Sequence, residues 1–300
     1  MKNIKIKKKK KRLSFFEIIN LFILVLFGVV TLFPCLTVVA KALSDPRYVL
    51  MGDVGIIPKN FQLDTVLYVL KKPEFYNAFK VSVTVTATGT VLAMFMTVLA
   101  AYPLSKTNLR GRKIFLYFFV FVMLFHAGMV PTYILFRSMH LTNTLGALIF
   151  SGTFSVSNLF IMKNYFESLP ESIEEAAKID GASNTVILFR VVLPMSTPVL
   201  ATISLFYGVG YWNNYFSGVT YITDPKLKSL QHYLYDLIKL AEATVDSSGN
   251  TTSMAETMAI MSSETIRDAT ILVSTIPILV LYPFLQKYFV KGMTVGSVKG

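Results

Sequence analysis

The residues that invite a chemical reading first lie between Glu167 and Arg190. The stretch reads Glu167-Ser-Leu-Pro-Glu-Ser-Ile-Glu-Glu-Ala-Ala-Lys-Ile-Asp-Gly-Ala-Ser-Asn-Thr-Val-Ile-Leu-Phe-Arg190. Pro170 suits the first turn of a helix. Glu171, Glu174 and Glu175 favour the positive end of its dipole. Gly181 can take the positive φ that ends a helix, and Ser183 can cap a second one running to Arg190. Ile173, Ala176, Ala177 and Ile179 give the pair an apolar side. The spacing predicts a helix–turn–helix whose small residues allow another chain to approach closely. Its chemistry is docking, and the partner it suits is a protein.

A second set of polar residues lies within long apolar runs. It comprises His126, Asn158, Ser204, Tyr207, Tyr211, Trp212 and Asn213, with Gln286 further on. Such groups turn toward a bundle interior or a water-filled path. Aromatic faces beside neutral hydrogen-bonding groups suit a sugar, and span-packing hydrogen bonds or an interfacial aromatic belt are the competing readings. His126 has no carboxylate within a run to make a proton relay or a metal site. Gly208-Val-Gly210 lacks the third glycine of a dinucleotide fingerprint, because Asn213 stands there, and no Walker A pattern occurs. No acid–base or nucleophile constellation lies near either membrane face, so neither an enzyme nor a resident cofactor or metal is expected. Cys35 is the only cysteine, which excludes a disulfide framework.

The elements that must position these residues are apolar. Of the 300 residues, 53% are hydrophobic and 15% charged, against about 25% charged in an ordinary soluble domain. Six runs approach the roughly 20 residues that cross a hydrocarbon core: Ile18–Ala40, Val81–Leu104, Ile114–Phe136, Leu145–Met162, Val191–Trp212 and Ala269–Phe289. The fourth is the shortest and is softened by Ser151, Thr153, Ser155, Ser157 and Asn158. The first is too long, and lacks the small-residue site, for a cleaved signal peptide. The expected fold is an all-α membrane protein with six transmembrane helices.

The net charge of +12 then becomes an orientation signal. Eight cations precede the first run and four lie within Ser105–Lys113, and short basic flanks stay cytoplasmic. Both termini are expected in the cytoplasm, with 18 of the 29 cations on that side. The tail can attract anionic lipid, and topology accounts for it without a nucleic-acid partner. The expected division is a basic tail over residues 1–14 and a transmembrane domain over 15–300. Within the latter lie the loop 165–190 and a large outer loop, 213–267. In that loop Leu230, Tyr233, Leu234, Leu237, Ile238 and Ala241 recur at helical spacing, as an interfacial helix or a docking surface. A short helix is expected near Leu63–Leu70 in the first outer loop.

Glu175-Ala176-Ala177, three residues, Gly181, nine residues, Val191, one residue and Leu193-Pro194 resemble the EAA loop of binding-protein-dependent ABC importer permeases. Val191 stands where that family usually has Ile. Asp180 and Ala182 around the glycine, Trp212-Asn213 and the ending Tyr288-Phe-Val-Lys-Gly-Met-Thr-Val-Gly-Ser-Val-Lys-Gly300 look like the carbohydrate-uptake type. They are similar to maltose-type permeases, and closer to the lipoprotein-associated oligosaccharide permeases of Gram-positive bacteria. The resemblance implies a bacterial plasma-membrane permease that imports a sugar or oligosaccharide by alternating access; the alternative is a permease for an amino acid, phosphate or peptide. It implies a second homologous permease, a cytoplasmic ABC ATPase dimer and an extracytoplasmic solute-binding (lipo)protein as partners. It places Glu174, Glu175, Ala176, Ala177, Asp180, Gly181, Ala182, Leu193 and Pro194 in the ATPase-coupling region, with Glu175 in polar contact and Gly181 at the bend.

Overall fold

The computed structural model describes residues 15–125, 127–247 and 264–280, with side chains left out over 241–247. His126, Gln286, the basic tail and the C-terminal ending fall outside the described residues. Every regular element described is helical. Residues 1–66 and 252–272 form one compact unit, and residues 67–251 and 273–300 form another.

The first unit contains α1, Phe15–Ala42, and α2, Pro46–Leu50. Along α1 the apolar side chains from Phe15 to Leu36 are exposed, the pattern of a helix whose solvent is lipid. Its C-terminal end closes over Ala40, Val49 and Val54. Lys41 pairs with Glu264 at 2.9 Å, at the start of a helix over 264–280.

The second unit is built around α4, Pro73–Ser105. It follows α3, Asp64–Lys71, the short helix expected near Leu63–Leu70. α4 packs against α7, Leu145–Phe150, α8, Val156–Glu167, α12, Thr197–Asn213, and α14, Leu230–Ser247; the short α11, Leu193–Met195, precedes α12 and α13, Phe216–Tyr221, follows it. The shared core includes Val85, Ala93, Ala101, Leu159, Met162, Ile187 and Ile203.

Three expected spans are interrupted. Ile114–Phe136 is two helices, α5, Arg112–Leu124, and α6, Met129–Ser138; Gly128, at φ 85°, opens the second. Leu145–Met162 is divided between α7 and α8, where Ser151 and Thr153 turn their hydroxyls onto backbone carbonyls of α7. Val191–Trp212 bends by 85° between the segment ending at Met195 and α12. Pro194 and Pro198 explain the bend. Pro194 has no N–H for the carbonyl one turn back, and the chain widens into a π turn over Leu188–Val192. Pro198 likewise cannot serve the Pro194 carbonyl, and the Thr197 hydroxyl donates to it instead at 2.8 Å. Among the described residues two helices, α1 and α4, are each long and apolar enough to cross a membrane, and the two bent pairs raise this to four.

Candidate functional site

The acidic stretch folds as its capping residues dictate. α9 runs over Glu171–Ile179 and α10 over Asn184–Ile187. Pro170 sits one place before the first helical residue, as the N-cap, with ψ 121°. At the other end Gly181 has φ +80°. The Ala182 N–H donates to the Ala177 carbonyl at 3.0 Å and the Gly181 N–H to that of Lys178 at 3.0 Å. These two bonds make the Schellman closure that needs a left-handed residue at this point. Ser183 then accepts from the Val186 N–H at 3.4 Å and caps α10.

The residues of this pair divide by face. Glu175, Ala176, Asp180 and Pro194 are exposed; Ala177, Ala182 and Leu193 are half-buried against the core of the unit. Ile179 is 86% exposed, an apolar side chain with no covering element among the described residues. Glu174 stands apart from its neighbour: it is 9% exposed and faces Lys106 at the end of α4. A cleft of about 430 Å³ lies beside it, lined by Lys106, Asn108, Arg112, Glu167, Glu171, Glu175 and Lys178 among others. Sequence reading missed this cluster, because its members come from two separated stretches, 105–112 and 166–178.

The polar residues of the runs sort onto two sides of α12. Tyr207 and Tyr211 are one turn apart on one side. They line a cavity of about 420 Å³ with Gly152, Phe154, Ser155, Asn158, Phe206, Gly210 and Asn214. The Tyr207 hydroxyl lies 2.7 Å from Thr97 Oγ1 and accepts the Ser155 N–H at 3.1 Å. The Tyr211 hydroxyl donates to the Ile149 carbonyl at 2.7 Å. Ser204 and Trp212 line a second, apolar cavity of about 390 Å³ with Thr86, Thr90, Gly208 and Pro277. Thr86 Oγ1, Thr90 Oγ1 and Trp212 Nε1 are buried beside it, without a hydrogen-bond partner among the described residues. Asn213 is exposed and lines neither cavity. Thr86, Thr90 and Thr97 went unnoticed in the sequence, although hydroxyls four and then seven places apart keep to one side of a helix and are a visible signal for a polar seam.

Among the described residues neither cavity offers an ionised side chain, and no group of three His, Cys, Asp or Glu able to hold a metal occurs. The first presents aromatic faces, hydroxyls and amides, the donor set of a neutral polar passage.

An apolar helical body, a capped helix pair beside it and an uncharged interior cavity define a membrane transport component. Residues 14–295 match the family model described as "Binding-protein-dependent transport system inner membrane component". The chain belongs to this family: it is a permease component of a binding-protein-dependent ABC transporter. It is 40% identical over 285 residues to the protein LplC of Bacillus subtilis, covering 95% of each chain. It is 39% identical over 287 residues to the polygalacturonan/rhamnogalacturonan transport system permease protein YtcP of the same organism, covering 95% of this chain and 98% of that one. Among solved structures it matches a chain of a bacterial ABC transporter involved in the import of the acidic polysaccharide alginate. There the TM-score is 0.81 at 31% identity, over 91% of this chain and 96% of the other.

Proposed function

We propose that this permease carries a sugar or oligosaccharide into the bacterial cell, crossing the membrane six times with both termini in the cytoplasm. It works with a second permease, a pair of ATPase subunits and an external solute-binding protein. The observation that carries the substrate reading is the cavity at Tyr207 and Tyr211, whose wall is aromatic and hydrogen-bonding without charge. The relatives named for polygalacturonan/rhamnogalacturonan and for galactooligosaccharides agree with it. Among the described residues that wall holds no cation for a uronate carboxylate.

In this reading residues 165–190 are the coupling loop and α9 is the element held by the ATPase. Glu175 makes the polar contact, Ala176 permits close approach, and exposed Ile179 supplies apolar area. Closing of the ATPase pair on ATP moves α9 and biases the permease pair toward its outward-open state, and hydrolysis removes that bias. Uptake into liposomes holding the complete complex tests the reading. ATP-dependent uptake of neutral or acidic oligosaccharides supports it; uptake confined to amino acids, phosphate or peptides refutes the sugar assignment.

A further inference from the structure

α4 is one helix of 33 residues, roughly 50 Å long at 1.5 Å per residue. Two groups that shape the first cavity sit on it: Gly89, against the ring of Tyr211, and Thr97, bonded to Tyr207. Its C-cap residue is Lys106. From there Lys106 Nζ reaches both carboxylate oxygens of Glu174 at 2.5 Å and lies 4.5 Å from the centre of the Tyr102 ring. Glu174 belongs to α9, 68 residues away. Its side chain is 12% exposed and that of Lys106 27% exposed. A carboxylate this enclosed gains more from its ammonium than an exposed one would. A second junction lies alongside. Glu167, at the end of α8, pairs with Lys163 at 2.8 Å and with Arg112, and the Arg112 Nε–H donates to the Leu104 carbonyl at 2.9 Å. α4, α5, α8 and α9 are thus joined at one end of the unit by buried or half-buried charge.

We propose that Lys106 and Glu174 are the positioning pair that passes the displacement of α9 into α4, so that Tyr207 and Tyr211, which line the first cavity and rest on Thr97 and Gly89, move with it. The proposal rests on the reading of α9 as the element held by the ATPase. Within α9 the two adjacent glutamates then have separate tasks: Glu175 faces outward to the partner, and Glu174 faces inward to the permease's own long helix. The contact is charge-assisted and largely enclosed, so drawing α9 away from α4 at this point loses both bonds together.

The test uses the complete complex in liposomes and reads the ratio of ATP hydrolysis with loaded binding protein to hydrolysis without it. Lys106→Ala is expected to lower that ratio at least tenfold while the ATPase still copurifies. The swap Lys106→Glu with Glu174→Lys is expected to restore at least half of it. A Lys106→Ala complex stimulated as the wild type overturns the proposal, and so does a swap no better than the single change. Should these variants not assemble, Lys106→Cys with Glu174→Cys in a Cys35→Ser background is bridged after assembly by a bifunctional thiol reagent. A strut predicts that the bridged complex still transports; transport lost on bridging overturns it. Glu175→Lys is measured beside them. If it is uncoupled and Lys106→Ala is not, only this proposal fails; if Glu175→Lys is itself stimulated normally, the coupling reading fails.

Discussion

The ring of Tyr211 on α12 rests directly on the backbone of Gly89 on α4: a Cβ at Gly89 would stand 2.5 Å from Tyr211 Cζ. The same ring also meets Gly152, where a Cβ would stand 2.9 Å from Cε1. Both glycines are required for space, and the ring is held at the edge of the cavity by absent side chains. Gly89→Ala forces helix or ring to shift, at a cost of about 1–3 kcal/mol. The purified complex should melt lower, and Gly89→Ala combined with Tyr211→Ala should recover part of the loss. Additive losses in the double variant would show that the contact is not what costs.

Tyr207 joins three segments through one oxygen. Tyr207→Phe removes the bond to Thr97 and leaves the Ser155 N–H without its acceptor. The expected loss is about 1–3 kcal/mol if that donor stays dry, and the apparent affinity for transported substrate should change. A variant with unaltered melting and unaltered uptake would place the hydroxyl outside both roles.

Gly181 has a conformation that other residues adopt at a cost. At φ +80° a side chain there strains the turn by about 1–3 kcal/mol, and proline, fixed near −65°, cannot close it. Gly181→Pro should leave the protein in the membrane and abolish ATP-driven uptake. Retention of uptake would remove the turn from the coupling path.

His232 on α14 gives a pH dependence. Burial holds its pKa below the ordinary 6.5, with Lys228 acting in the same direction and Asp236 opposing. Asp236 is 3.7 Å from Nε2 but is drawn to Lys228 at 2.5 Å, and Nδ1 is buried without a partner among the described residues. The folded state therefore binds this proton less readily than the unfolded state. Its contribution is complete above about pH 6.5 and is lost as pH falls through the lowered folded value. Melting temperature should drop below pH 6.5 in the wild type and more shallowly in His232→Gln. Equal slopes would exclude His232 as the cause.

What the sequence disclosed was mostly local. The end of α9 follows from Gly181 and Ser183, and the bend before α12 follows from Pro194 and Pro198, because caps and missing donors act within one turn. The break between α7 and α8 was visible only as a cluster of hydroxyls inside an apolar run. α14 shows the limit of periodicity. Leu230 and Leu234 recur as an amphipathic stripe should, yet both are buried and α14 packs on α4, so that part of the stripe is spent inside the unit. Glu174 and Glu175 are adjacent letters with opposite surroundings, and only the position of Lys106, 68 residues away, separates them. Tyr207 and Trp212 looked like one path, but five residues turn a helix by roughly 140°, and the two rings line different cavities.

The most direct measurement is ATP hydrolysis by the complete complex, titrated with its binding protein carrying different ligands. The account predicts stimulation when the binding protein is loaded with a sugar or oligosaccharide, and no stimulation in Glu175→Lys. Stimulation by an amino acid, phosphate or peptide ligand alone, or a Glu175→Lys complex that responds as the wild type does, would contradict it.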